Sequence, residues 1–315
     1  MKRFLKFLLA IFVLGVAIEA VAYWRKPELF LEAEYFRLAW TAGVREHTLD
    51  AAGHRWHYYD GGDGPTVVLV HGFSGSKENW LALAAQLSER HRVVIPDLAG
   101  WGESQRRDGE DYTVVAQAER LGAFLDALSL SRVHLVGHSM GGHVAGLHAA
   151  RHPERIESLS LVSTAGVRFE PNAFARRVLA GETPFNFGTR DEFDAFMREL
   201  FVEPPWLPSR LKDVLIARTR ARHAFQADLL ARMGRDDEAF RLEHELPAIA
   251  APTLVVWCDG DRILDVSSVA TIRARLPRAK DVVLAGCGHM PMMERPREMA
   301  DAMRPHLAER KKGPE

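Results

Sequence analysis

The feature that most constrains the fold is the pentapeptide Gly137-His138-Ser139-Met140-Gly141, followed by Gly142. It follows the apolar β-branched run Val133–Val136 directly and precedes a helical pattern that continues through Ala149. A strand that turns into a helix within one or two residues leaves no room for side chains at the flanks of the turn, hence the glycines. Such a turn lifts the central serine above the end of a strand. The first amides of the following helix have no partner within it and carry its positive dipole end, so negative charge is favoured there. The motif therefore predicts a strand of a parallel sheet, with a reactive hydroxyl at its C-terminal end.

The rest of the chain supports that sheet. Arg55–Tyr59 reads as a strand ended by the turn cluster Gly61-Gly62-Asp63-Gly64-Pro65. Short apolar runs then recur at Val67–Val70, Val93–Ile95, Val133–Val136, Leu159–Val162, Thr253–Trp257 and Val282–Leu284, with helical patterns between them. Near-continuous apolar strands alternating with helices indicate a doubly wound, mostly parallel α/β sheet covered on both faces. The alternation stops over residues 167–247. That stretch is helical in pattern, broken by Pro184, Pro204, Pro205 and Pro208, and rich in phenylalanine. It is expected to form a helical cap inserted after the sixth strand, over the C-terminal edge of the sheet. The core then comprises residues 46–166 and 248–310, joined by a connector over 25–45 to an N-terminal segment, 1–24. The charged tail after Leu307 is expected to fray.

The N-terminal segment opens with Lys2, Arg3 and Lys6, runs apolar from Phe7 to Ile18, meets Glu19 and continues to Trp24 before Arg25-Lys26-Pro27. A basic start and an apolar middle mark a secretory or anchoring segment. Retention as a single-pass anchor is expected, with the basic end in the cytoplasm and the body of the protein outside it. The alternative is a signal removed at Ala20-Val21-Ala22. A net charge of −1 without a basic stripe excludes nucleic acid as a partner. The two cysteines, Cys258 and Cys287, are too few for a disulfide framework. Two buried free thiols are expected ahead of a bridge between them.

A serine hydroxyl needs a base. Among 14 histidines, His289 lies in the loop between the last apolar run and the last helix, where parallel sheets build their sites. His138 is adjacent to the serine and is expected to point away and support the turn. His148 and His152 lie one helical turn apart without a carboxylate or a metal spacing, so no metal is expected. The acid must come from the loop after Thr253–Trp257, where Asp261 is preferred over Asp259 and Asp265. The order Ser139, Asp261, His289 is the one found with G-x-S-x-G elbows. Two backbone amides would complete an oxyanion hole, from Met140 and from Phe73 in His71-Gly72-Phe73-Ser74-Gly75. Asp97, in Asp97-Leu98-Ala99-Gly100-Trp101-Gly102-Glu103-Ser104, is read as a structural residue that bonds loop amides.

Taken together, H-G-F, D-x-x-G-x-G-x-S, G-H-S-M-G-G, the Asp261 loop and G-H resemble the α/β-hydrolase superfamily over about Arg55 to His306. His71-Gly72-Phe73-Ser74 with Lys77 and Trp80, Ile263 to Ser267, and Cys287-Gly288-His289 with Met293 to Arg297 are similar to membrane-anchored monoacylglycerol lipases and related bacterial lipases. Cys258 departs from the glycine that commonly follows the tryptophan in such enzymes. The resemblance implies an α/β-hydrolase fold and hydrolysis of fatty-acyl carboxylic esters through an acyl-enzyme, with no cofactor. Phe73, Phe185, Phe187, Phe196, Trp206 and Met290 are the candidate acyl-pocket residues, although most cap aromatics are expected simply to pack the cap. Dehalogenases and epoxide hydrolases share the fold but use an aspartate nucleophile. Carbon–carbon bond hydrolases, acyltransferases and a non-catalytic ligand-binding protein are the alternatives that keep Ser139.

Overall fold

A computed structural model describes residues 1–308, apart from the side chains of residues 2, 10, 14, 16–18, 20, 236 and 237. The expectations for the tail after 308 lie outside the described residues. Two helices open the chain, α1 (Lys2–Arg25) and α2 (Pro27–Thr41). The strands are β1 (Val44–Ala51), β2 (His54–Gly61), β3 (Thr66–Val70), β4 (Arg92–Pro96), β5 (Val133–His138), β6 (Ile156–Val162), β7 (Thr253–Cys258) and β8 (Lys280–Leu284). Between β3 and β6 lie α3 (Leu81–Leu87), α4 (Val114–Ala127) and α5 (Met140–Arg151). The insertion between β6 and β7 holds α6 (Ala173–Leu179), α7 (Arg190–Leu200), α8 (Ser209–Arg220), α9 (His223–Met233), α10 (Asp236–Ala239) and α11 (Arg241–Glu245). The chain closes with α12 (Ser268–Arg275), α13 (Pro291–Glu294) and α14 (Pro296–Ala308).

The eight strands form one sheet in the order β1-β2-β4-β3-β5-β6-β7-β8. The β1–β2 and β2–β4 pairs are antiparallel and every later pair is parallel. This is the mostly parallel, doubly wound α/β-hydrolase sheet expected, with the helical cap after the sixth strand. The period-2 alternation of the central strands sorts their side chains between two cores. Val68, Val70 and Leu135 face one with Phe124 and Val144. Val67, Leu69 and Val136 face the other with Trp80 and Met299. Burying each such side chain stabilises the fold by about 1.5–3 kcal/mol. Because both faces are covered, these strands read as uninterrupted apolar runs.

Strand β1 was hidden from sequence inspection. Its sequence, VREHTLDA, carries a largely exposed edge and lacks an apolar run, and it exists because β2 offers it a full antiparallel register from Val44↔Gly61 to Ala51↔His54. The connector is the helix α2, with Leu31 and Ala39 buried. It packs beside α8 in the cap, where Arg218 pairs with Glu32 at 3.6 Å and the Arg210 guanidinium lies 4.6 Å over the Trp24 ring. Helix α1 spans 24 residues and exposes Phe4, Leu5, Phe7, Leu9 and Phe12. Among the described residues, no helix is long and apolar enough to cross a membrane.

Candidate active site

Ser139 stands at the junction of β5 and α5 with φ +53° and ψ −122°. A non-glycine residue there is strained and is held by its surroundings. The glycines around it are set by contact. A Cβ on Gly137 would sit 2.2 Å from the Gly141 carbonyl oxygen, and one on Gly141 would sit 2.3 Å from that of His71. The Ser139 carbonyl accepts from the amides of Gly142 (2.9 Å), His143 (3.2 Å) and Ala165 (3.0 Å), which pins the turn. Ser139 itself stays partly exposed. The Met140 amide is the first of α5 and has no acceptor within the helix.

His289 and Asp261 meet beneath the cap. Their loops follow β8 and β7, so the strand register brings them together from 28 residues apart. His289 Nδ1 lies 2.9 Å from Asp261 Oδ2 and 3.1 Å from Oδ1, with both side chains buried. The carboxylate is oriented independently, since Oδ1 also accepts from the amides of Ile263 (2.9 Å) and Leu264 (3.0 Å). With Nδ1–H donating to Asp261, Nε2 is the basic nitrogen. Asp259, weighed for the same role, turns instead to the Gly286 amide at 2.8 Å, and Asp265 to the Ser267 amide at 2.9 Å.

His138 reaches beyond its own turn. Its Nε2–H donates to the His289 carbonyl at 2.8 Å, and its ring lies 4.6 Å from the His289 ring. Burial, then the neighbouring His289, hold His138 well below the usual histidine range, so it remains neutral. The His289 amide donates to the Leu200 carbonyl at the end of α7, at 2.7 Å. The backbone of His289 is thus gripped by the elbow on one side and the cap on the other. No local sequence signal marks either contact.

The second loop flanking Ser139 is braced by His71. This fully buried ring donates from Nδ1 to the Gly72 carbonyl (2.8 Å) and accepts at Nε2 from the Leu98 amide (3.0 Å). Burial pushes its pKa down to about 4. Phe73 follows directly, and its ring packs on Trp101 at 5.0 Å and on Phe185 of the cap at 4.8 Å. Farther along the loop, Lys77 is fully buried and ion-paired with Asp97 and Glu78 at 3.1 Å each, with Glu46 at 3.4 Å and with Glu103. Asp97 also accepts from the backbone amides of Lys77 (2.7 Å) and Glu103 (2.9 Å). Asp97 thus bonds loop amides, as its motif implies, and also holds an ammonium that the motif does not announce. Glu46, His57 and Glu103 gather closely enough to suggest metal ligands, but the Lys77 ammonium already occupies their neighbourhood.

The other candidate pocket residues fall into four places. Phe185 bridges Phe73 to Phe174 and Phe196. Phe187 packs with Phe193 and Ile216 in a small core of the cap itself. Trp206 is 85% exposed, and Met290 lies in the core cluster with Trp80 and Met292. From the cap, Gln226 donates to Ser74 Oγ at 3.1 Å and Arg222 to the Gly102 carbonyl.

The expectation of two free thiols is overturned. Cys258 and Cys287 form a disulfide, their Cα atoms 5.3 Å apart. Their residue types and spacing concealed this, because only the β7–β8 register brings the ends of the two strands together.

A strained serine thus stands at a strand–helix elbow, and a buried acid–histidine pair is brought together by loops after two later strands of the same mostly parallel sheet. The chain belongs to the alpha/beta hydrolase family, whose model matches residues 67–302. It is similar to Lipase 1 of Psychrobacter immobilis (34% identity over 261 residues, 80% of each chain) and to the monoacylglycerol lipase ABHD6 of Mus musculus (30% over 263 residues, 78% and 76%). Among solved structures, it resembles a membrane phospholipase A described as a bacterial virulence factor, with TM-score 0.86, 39% identity and 98% coverage of both chains. A meta-cleavage product hydrolase from Pseudomonas fluorescens IP01 (TM-score 0.70, 22% identity, 82% and 98% coverage) shares the fold. The chain is an ester hydrolase of this family.

Proposed function

We propose that the chain hydrolyses fatty-acyl esters of glycerolipids, monoacylglycerol-like lipids first, through an acyl-enzyme on Ser139. The observation that carries this is the Asp261–His289 pair, which leaves His289 Nε2 free to take a proton. The Ser139 Oγ proton passes to Nε2 as Oγ attacks the ester carbonyl carbon. The amides of Phe73 and Met140 hold the oxyanion, which is the largest expected source of stabilisation in such a site. Collapse of the tetrahedral intermediate breaks the bond to the alcohol oxygen, which leaves with the proton from Nε2. Water then attacks the acyl-enzyme, giving its proton to Nε2, and the fatty acid departs as that proton returns to Ser139. Asp261 orients the imidazole and stabilises its cation throughout. Phe185 and Phe196, adjoining Phe73, are the rings best sited to meet an acyl chain.

The same reading makes residues 167–247 a lid and α1 a membrane anchor that holds the site near its lipid. The exposed apolar side chains of α1 and the basic start of the chain support this. The disulfide supports a body outside the cytoplasm, since such bridges persist in oxidising compartments. A second reading, phospholipase A activity, is favoured by the 39% identity to the membrane phospholipase A.

Fluorophosphonate labelling tests the serine chemistry: wild-type protein labels and Ser139→Ala does not. A hydrolysis profile over monoacylglycerols, diacyl phosphatidylcholine and p-nitrophenyl esters of graded chain length tests the substrate. Preference for long-chain monoacylglycerol supports the first reading, and release of fatty acid from phosphatidylcholine the second. A short-chain-only profile overturns both in favour of a general carboxylesterase.

A further inference from the structure

The Asp261–His289 pair depends on the weakest part of the sheet. Strand β8, which delivers His289, is its last strand and pairs only with β7. It has five residues, the first two of them exposed, and Val283 is 45% exposed. Short, solvated edge strands open locally far more readily than central ones. By contrast, Ser139 follows β5, which is buried along its whole length between β3 and β6. The nucleophile is anchored in the core, while the base follows an edge strand and is held at its backbone by the His138 ring and the Leu200 carbonyl of the cap.

The disulfide lies where that asymmetry would do most harm. Cys258 ends β7, three residues before Asp261, and Cys287 lies two residues before His289. Both are fully buried. Besides the Asp261–His289 contact itself, the two loops are joined close by through single hydrogen bonds: Gly260 amide to Cys287 carbonyl (3.1 Å), Asp259 amide to Leu284 carbonyl (3.0 Å) and Gly286 amide to Asp259 carboxylate (2.8 Å). Two of these involve residues exposed to water, which competes for each bond. The covalent link is of a different kind, because no local opening of β8 can part Cys258 from Cys287.

We propose that the Cys258–Cys287 bridge is a positioning element for the reaction, holding the acid loop and the base loop in register so that full turnover is reached only after the two thiols are oxidised. This rests on the ester-hydrolase reading above. Oxidation removes two electrons and two protons from the thiols, which a disulfide-bearing oxidant of an oxidising compartment accepts as it becomes a dithiol. The buried bridge forms as the chain folds in such a compartment. A misplacement of about 1 Å between reacting groups costs about 100-fold in rate, so release of an edge-borne histidine acts on turnover rather than on substrate binding.

The test compares the oxidised full-length enzyme with the Cys258→Ala/Cys287→Ala double variant, on a water-soluble p-nitrophenyl ester well below the Tm of either protein. The expected result is a fall of about 10- to 100-fold in kcat and in fluorophosphonate labelling rate, with KM little changed. A folded double variant that keeps wild-type kcat and labelling rate, and loses only Tm, overturns the proposal: the bridge would then be a staple and nothing more. If the double variant does not fold, wild-type enzyme reduced in place with TCEP carries the same comparison, its thiols counted by alkylation and mass spectrometry. Loss of kcat in step with thiol exposure, regained on reoxidation, supports the proposal, and unchanged kcat with both thiols alkylated overturns it. Oxidised wild-type enzyme that neither labels nor turns over overturns the serine-hydrolase reading itself, and the clamp with it.

Discussion

Replacing His71 with phenylalanine separates the brace of the Phe73 loop from the ring volume that fills the same space. The substitution removes two hydrogen bonds, to the Gly72 carbonyl and from the Leu98 amide, inside a fully buried site. The Leu98 amide is left without that partner, at a cost of about 1–3 kcal/mol, while the Gly72 carbonyl keeps a second donor in Gly75 at 3.1 Å and loses less. We expect a destabilisation of about 2–4 kcal/mol at pH 7.5. Outright loss of an oxyanion donor costs about 100- to 1,000-fold in kcat, so a loosened Phe73 amide should cost about 10- to 100-fold. The pH dependence supplies a second signature. Burial pushes the folded-state pKa of His71 down to about 4 from an ordinary value of 6.5. The unfolded chain therefore binds this proton first as pH falls. The stability contributed by the neutral ring is complete above pH 6.5 and is lost progressively as pH falls towards 4. At pH 4.5 the wild type should have lost about 2–3 kcal/mol through this group, and the variant, which lacks it, nothing. Urea denaturation at both pH values, with kcat on a p-nitrophenyl ester, measures all three quantities. A stability gap between wild type and variant that stays constant from pH 7.5 to 4.5, or an unchanged kcat, would refute the reasoning.

Three other outcomes are expected. Asp261→Asn should lower kcat by about 10,000-fold, because the amide favours the wrong tautomer of His289, while Asp259→Asn should leave kcat near wild type; steady-state kinetics of the pair distinguishes the two acids. His134 and His148, like His71, are held at about 4 by burial, and His143 at about 3. Each is neutral in the fold and charges first in the unfolded chain, so Tm should fall steadily below pH 6.5, with His143→Gln flattening the curve in a calorimetric series. Removal of residues 1–25 should release the enzyme from the membrane fraction into buffer without changing kcat on a water-soluble ester, since α1 meets the body through exposed contacts such as Arg210 on Trp24. Fractionation with and without detergent, followed by a kinetic assay, checks both halves.

Much of this site was legible because its chemistry demands local backbone geometry. A strand–helix elbow needs Gly137 and Gly141 at fixed positions beside Ser139, and the central strands must be apolar on both faces, so motif and sheet announce themselves along the chain. His289 and Asp261 were legible for a related reason, since both sit in loops at the C-terminal ends of strands. Partner choice was not legible in the same way. Asp259 and Asp261 share one glycine turn, and only the folded loop turns one carboxylate to the Gly286 amide and the other to His289. His138, beside Ser139, also holds the carbonyl of a residue 151 positions away, a contact its own motif does not announce. Lys77 and Asp97, 20 residues apart, form a buried ion pair that neither motif implies alone. Strand β1 has no apolar signature because an edge strand can leave most of its side chains in water. The sharpest divergence concerns Cys258 and Cys287. Their number argued for free thiols, yet the parallel register of β7 and β8 brings them within bonding distance next to Asp261 and His289. Local geometry is written residue by residue in the chain, whereas contacts across strands exist only once the sheet has set its register.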